Sequence, residues 1–275
     1  MQTLKFSMSS LFKGGISSLL VKPAFLFDID GCLTLPFNPD HPISVLDKPL
    51  LQQIVHWYED GVPIALVTGR SSFYLEEEFS KISFEYGFKL PIYIEFGLLK
   101  FQNTELMRED YCPEFNDERE RFLTDFRDLA EKLGVHMVEG EHVQYPERGM
   151  WREKKHVMSS VISNHDTPPS TIHKIAKKLM DRSSYSIRLL NHPLGIDVLP
   201  KDWSKRNPAR TFSSKYQNGF EWYIFGDNKS DAEMAEVIPS SSFFSTREFG
   251  SKSVWGKLRE ITPKYNLHLL DIDHL

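Results

Sequence analysis

The run Ala24-Phe25-Leu26-Phe27 stops abruptly at Asp28-Ile29-Asp30-Gly31. A short continuous apolar run reads as a strand buried on both faces, as in a parallel sheet. Open parallel sheets place their ligands at the carboxyl ends of the strands, and two acids stand there. Side chains two positions apart on an extended segment point the same way. Two carboxylates held together repel unless a cation or a proton separates them. Either a metal site follows, or one ionised and one protonated carboxyl, the equipment for nucleophile plus general acid. A strand ending in an Asp-Gly turn with solvated acids is the competing reading.

The pattern returns twice. An apolar strand over Pro63 to Val67 ends in Thr68-Gly69-Arg70-Ser71 and feeds a helix. A hydroxyl and free N–H groups at a helix N-terminus make a seat for phosphate, although Thr-Gly-Arg alone is also an ordinary turn. A third strand over Glu221 to Phe225 ends in Gly226-Asp227-Asn228-Lys229-Ser230-Asp231 and opens a helix over Ser230 to Val237. Asp231 also suits that helix N-terminus on its own account. Between the second and third strands, Gly195 to Pro200 is extended and leads into Lys201-Asp202-Trp203-Ser204-Lys205. Leu50, Leu51, Ile54, Val55 and Tyr58 recur at helical spacing, with Pro49 in the first turn and Gly61 at the stop.

The middle of the chain has another rhythm. Short strands are expected over Pro91 to Gly97 and Leu98 to Phe101, then a charged amphipathic helix over Asn116 to Leu133. A strand over Val135 to Val143, a helix over Pro168 to Asp181 and a strand over Tyr185 to Leu190 follow. This β-α-β-β-α-β order predicts a small α+β unit with helices on one sheet face. Its Arg148, Arg152, Lys154 and Lys155 could clamp an anionic or hydroxylated substrate, or form a solvated face.

Met1 to Lys22 holds no acid, several serines and three lysines. A flexible leader is expected there, with a transit peptide as the alternative. Leu35 to Pro49 is proline-rich and reads as a connection or a mobile flap. A net charge of -5 invites neither nucleic acid nor an anionic membrane surface. No apolar run approaches the ~18 residues that span a bilayer. Cys32 and Cys112 form no disulfide or metal pattern, which predicts a reducing, cytoplasmic setting. The 20 phenylalanines are expected to fill the core.

Taken together, the strand ends resemble the haloacid dehalogenase (HAD) superfamily of aspartate-nucleophile phosphatases. Its four motifs match at Asp28 and Asp30, at Thr68, at Lys205, and at Asp227 with Asp231; Gly226 to Met234 fits the family's last string. The family's threonine after Asp-x-Asp-Gly is replaced by Cys32. The resemblance implies an α/β fold, a doubly wound Rossmann-like parallel sheet with an inserted α+β cap. The core would comprise 1–85 and 196–275, and the cap 86–195. It implies Asp28 as nucleophile, Asp30 as general acid and base, and Thr68, Gly69 and Lys205 on the phosphate. It also implies Mg²⁺ held by Asp28, the Asp30 carbonyl and Asp227, with Asn228 and Asp231 behind them. Arg148, Arg152, Lys154 and Arg188 are the candidates for leaving-group contacts. The implied reaction is Mg²⁺-dependent hydrolysis of a phosphomonoester through an aspartyl-phosphate. The stretch around Lys205 resembles phosphomannomutases and the Thr68 turn sucrose-phosphate phosphatases, so a sugar phosphate is expected as the substrate, with no nucleic-acid or membrane partner. A phosphohexomutase and a phosphoaspartate signalling module are the alternatives. The sequence leaves the oligomeric state open.

Overall fold

The computed structural model describes residues 21–35, 45–82, 84–108, 114–142, 149–164, 166–216 and 219–270. The expected leader up to residue 20, most of the proline-rich connection, Cys112 and Arg148 lie outside the described residues.

The first sheet has seven strands: β1 (Lys22–Phe27), β2 (Ile64–Val67), β3 (Ile92–Ile94), β4 (Leu99–Gln102), β5 (Glu105–Arg108), β11 (Phe220–Gly226) and β12 (Ser241–Ser245), in the order β12-β11-β1-β2-β3-β4-β5. The five strands from β12 to β3 run parallel, and β4 and β5 are added antiparallel. Strand order runs outward from β1 in both directions, so the winding reverses between β1 and β11. That switch point is where an open α/β sheet leaves a crevice for a ligand.

The apolar runs are continuous because both faces of this sheet are covered. Phe25 and Phe27 face α1 (Lys48–Glu59) and α7 (Ser251–Tyr265), packing with Leu50, Leu51, Ile54, Val254 and Leu258. Ala24 and Leu26 face the other way, toward Ala209 and Phe212 of α5 (Arg206–Ser213) and Met234 of α6 (Lys229–Ala235). Phenylalanine fills much of this core. The ring of Phe25 lies 5.7 Å from Trp57 and 5.6 Å from Tyr223, and Phe27 lies 5.0 Å from Phe225. Each such ring, fully buried, contributes about 1.5–3 kcal/mol. α1 begins where predicted: Asp47 accepts the Leu50 N–H at 3.0 Å as its cap, and Pro49 sits in the first turn.

The second sheet comprises β6 (Met137–His142), β7 (Met150–Glu153), β8 (Ser159–Ile162), β9 (Ile187–His192) and β10 (Gly195–Pro200), in the order β6-β7-β8-β10-β9. Helices α3 (Glu114–Lys132) and α4 (Pro169–Met180) cover one face; Phe122, Phe126, Ile172 and Ile175 pack with Val161, Ile196 and Val198. The other helix, α2 (Ser72–Lys81), follows β2.

Strand membership departs from the sequence expectation at both borders. Residues 92–108, assigned above to the inserted unit, pair into the first sheet through β2. Conversely, β10 pairs between β8 and β9 in the second sheet. Short strands of similar composition do not announce which sheet accepts their hydrogen bonds.

Candidate active site

Asp28 lies one residue beyond the end of β1, and its N–H continues the ladder to Phe225 O at 2.9 Å. Asp227 lies one residue beyond β11. The reversal of the sheet thus brings these two carboxylates side by side. The turn after Asp30 needs glycine: Gly31 has φ +67°, and a Cβ there would fall 2.6 Å from Asp227 Oδ2. Thr68 lies one residue beyond β2, fully buried, and its hydroxyl oxygen accepts the Arg70 N–H at 3.1 Å.

Lys205 immediately precedes α5. Its Nζ donates to Asp28 Oδ1 and to Asp231 Oδ1, each at 2.6 Å, and all three groups are buried. Asp231 is doubly committed, since its other oxygen accepts the N–H groups of Asp227 and Asn228 at 2.9 and 3.0 Å. With Asn228 it forms a capping box at the start of α6. The capping reading of Asp231 and its partnership with Lys205 therefore hold together. Asn228 also donates to Asp227 Oδ1 at 2.9 Å.

Oxygens of Asp28, Asp227 and Asp231 lie within 4.8 Å of one another. One ammonium against three acids leaves negative charge in excess. Burial and the neighbouring Asp231 charge raise the Asp28 pKa, with Lys205 opposing, and the same two causes push Asp227 up to about 6. The Asp231 oxygens are spent on Lys205 and backbone, so Asp28 and Asp227 are the pair left for a cation. A largely buried cluster of oxygen donors with uncompensated charge fits a hard divalent ion such as Mg²⁺.

Asp30, next to this cluster, is engaged by a different cation. Arg70 forks onto it, Nε to Oδ2 at 2.9 Å and Nη2 to Oδ1 at 3.2 Å. Partial burial opposes its ionisation, but the Arg70 charge and hydrogen bonds outweigh that and hold its pKa below the ordinary value.

The two sheets meet at the loops around this site. Glu95, fully buried just after β3, accepts three backbone N–H groups from the second sheet's loop: His156 at 2.7 Å, Val157 at 2.8 Å and Met158 at 2.9 Å. Lys155 Nζ donates to Gly69 O at 2.8 Å and pairs with Glu153 at 3.0 Å. Ser72 bonds His156 at 2.9 Å.

The expected basic clamp is arranged otherwise. Arg152 pairs with Val161, whose side chain packs under the helices, and reaches Glu141 at 2.9 Å; it lies on the helix-covered face. Lys154 lies over the Phe73 ring at 4.3 Å. Arg188 is tied to Trp203 O at 2.9 Å and to Glu233 at 2.7 Å. The face opposite the helices carries instead the cross-strand row Glu153–Ser160–Asp197, with His192 and Arg188 on β9. Sequence reasoning did not single out Glu95, Glu153, Ser160, Asp197 or His192. Period-2 alternation through Trp151-Arg152-Glu153 was the available signal, but it separates faces without saying which is covered.

No family model and no curated protein matches the chain. Solved structures do. A haloacid dehalogenase-like hydrolase from Bacteroides thetaiotaomicron aligns with TM-score 0.57 at 13% identity, over 87% of this chain and 99% of its own. The trehalose-6-phosphate phosphatase C-terminal domain of C. albicans aligns with TM-score 0.55 at 18% identity, over 80% of this chain and 76% of its own. A protein from Thermotoga maritima aligns with TM-score 0.55 at 15% identity, over 91% and 100%. The chain has the haloacid dehalogenase-like α/β fold.

Proposed function

We propose that the chain is a metal-dependent phosphomonoester hydrolase of the HAD superfamily that works through Asp28. The observation that carries this reading is the buried Asp28–Lys205 contact at 2.6 Å, set at the sheet's switch point beside Asp227. The fold shared with hydrolases and phosphatases supports it. Residues 114–200, built on the second sheet, serve as the cap over the site.

Asp28, Asp227 and the Asp30 carbonyl would hold Mg²⁺, which supplies positive charge that lets an anionic nucleophile approach an anionic phosphate. The chain's own groups do the rest. Lys205 places a fixed ammonium against Asp28 and the phosphoryl oxygens, preorganised because Asp231 holds it from behind. The Thr68 hydroxyl and the N–H groups after it bind the same oxygens. Asp28 attacks phosphorus; the ester P–O bond breaks, its electron pair passes to the leaving oxygen, and Asp30 protonates that oxygen. Asp30 then takes a proton from the water that cleaves the aspartyl-phosphate.

A sugar phosphate is the favoured substrate class. The Ser160–Asp197 hydrogen-bonded pair on the second sheet is of the kind that exchanges bonds with hydroxyls, and the cations near it, Arg70 and Lys155, are already paired with Glu153, which favours a neutral polyol over a second anionic group. The test is phosphate release from p-nitrophenyl phosphate and a panel of sugar phosphates with and without Mg²⁺. Mg²⁺-dependent turnover that is fastest on sugar esters is expected; no turnover on any monoester would overturn the reading.

A further inference from the structure

Arg70 stands between two carboxylates from different sheets. Its Nε and Nη2 hold both oxygens of Asp30, at 2.9 and 3.2 Å, while Nη1 lies 3.7 Å from Glu153 Oε1 on β7. The guanidinium carbon sits 4.2 Å from the centre of the Tyr74 ring. Glu153 is itself fixed, because Lys155 pairs with it at 3.0 Å and is anchored on Gly69 O at 2.8 Å.

We propose that Arg70 is a positioning residue, a latch that holds Asp30 in the resting enzyme and passes to Glu153 when a substrate is seated. This rests on the hydrolase reading above. A two-pronged fork on a carboxylate fixes its plane and engages both oxygens. In that state neither oxygen of Asp30 is free to carry a proton toward a leaving group. Once released from the fork, Asp30 takes up a proton from solvent water; when the ester P–O bond breaks and its electron pair passes to the leaving oxygen, that proton passes to it from the freed Asp30 oxygen. Releasing a guanidinium into a partly buried site without a partner is costly. Glu153 removes that cost, since it already stands within ion-pair range and the Tyr74 face supports the guanidinium during the shift. Glu153 shares its row with Ser160 and Asp197 on the face of the second sheet opposite its helices, so a leaving group bound by that row touches the same strand that draws Arg70 away. Substrate binding and release of the acid are thereby coupled through one side chain.

The test compares p-nitrophenyl phosphate with phenyl phosphate. The two differ little in shape, but the phenolate leaving group has a basicity of about 10, as in tyrosine, whereas p-nitrophenolate is far less basic and leaves with little need of a proton. Turnover of p-nitrophenyl phosphate by the wild type reads the parent hydrolase proposal alone. The ratio of kcat on phenyl phosphate to kcat on p-nitrophenyl phosphate reads the latch. E153Q keeps the side chain's size, removes the second anchor, and is expected to lower that ratio about tenfold, a part of the 10²–10⁴ that a general acid typically supplies in full. Adding R70M in the E153Q background is expected to restore the ratio to near the wild-type value, because the fork is gone. E153D, which keeps the charge with a shorter reach, should fall between, and it carries the test if E153Q folds poorly. Equal loss on both substrates in the Glu153 variants, or a further fall of the ratio in R70M/E153Q, would overturn the proposal.

Discussion

Lys205 and Asp28 stand 177 positions apart in the chain, yet Nζ of one lies 2.6 Å from Oδ1 of the other. The contact forms because β1 and β11 are neighbours at the point where the sheet reverses, and Lys205 enters from the turn after β10. Asp231 on α6 completes the arrangement from the far side.

Removal of Lys205 should therefore cost more than activity. Lys205→Met leaves Asp28 and Asp231 buried without their cation, and breaking a buried pair this way costs about 3–5 kcal/mol. Chemical denaturation should show a lowered midpoint, and added Mg²⁺ should recover part of it. An unchanged midpoint would contradict the placement of Lys205.

Glu95 is a structural tie between the two sheets. Its carboxylate satisfies three backbone N–H groups, at His156, Val157 and Met158. Glu95→Ala should leave all three unpaired at about 1–3 kcal/mol each. Amide hydrogen exchange should accelerate at 156–158 and along β7 and β8, more than in β1 and β11. Uniform exchange across both sheets would argue against this tie.

The acid cluster makes stability depend on pH in a metal-dependent way. Asp227 titrates near about 6 in the folded chain, above the carboxylate's ordinary value of 3.8, because burial and Asp231 disfavour its charge. A raised folded pKa means the folded state binds the extra proton. Its contribution is full at low pH and is lost as pH rises through about 6. Relative to Asp227→Asn, which lacks this titration, the chelator-treated protein should gain melting temperature on going from about pH 8 to about pH 5.5; taking the difference removes His192, whose pKa is lowered by burial and which acts the other way in this range. A divalent ion held as proposed would compete with that proton, so the stabilising effect of added Mg²⁺ should be largest at the higher pH. Thermal melts with chelator and with Mg²⁺ across this range check both signs.

The Gly31 turn is equally constrained. A methyl group there would fall 2.6 Å from Asp227 Oδ2 and would force an L-residue to φ +67°. Gly31→Ala should cost about 1–2 kcal/mol through the backbone alone and weaken Mg²⁺ binding by displacing Asp227. Calorimetric titration with Mg²⁺ measures the second effect.

The strand ends were legible from the sequence because burial on both faces leaves an uninterrupted apolar run that must stop where polar chemistry begins. Phe27–Asp28, Val67–Thr68 and Phe225–Asp227 all carry that edge, and α1 announced itself through its apolar spacing, Pro49 and Gly61. The face of Arg152 was not legible. It and Glu153 are adjacent, so one points under the helices and the other toward Arg70, and composition cannot say which. Glu95 was hidden for a different reason. It reads as the end of a strand, whereas the chain turns there, with φ +51° at Glu95 and +58° at Phe96. Arg70 was visible only as part of a turn, since its partners come from β7 and from the loop after β1.

The most direct measurement is turnover by Asp28→Asn, an isosteric change that removes the charge of the proposed nucleophile while leaving Lys205 paired with Asp231. The account predicts that Mg²⁺-dependent release of phosphate from p-nitrophenyl phosphate falls to background while the thermal transition stays cooperative. Wild-type turnover by that variant would contradict it.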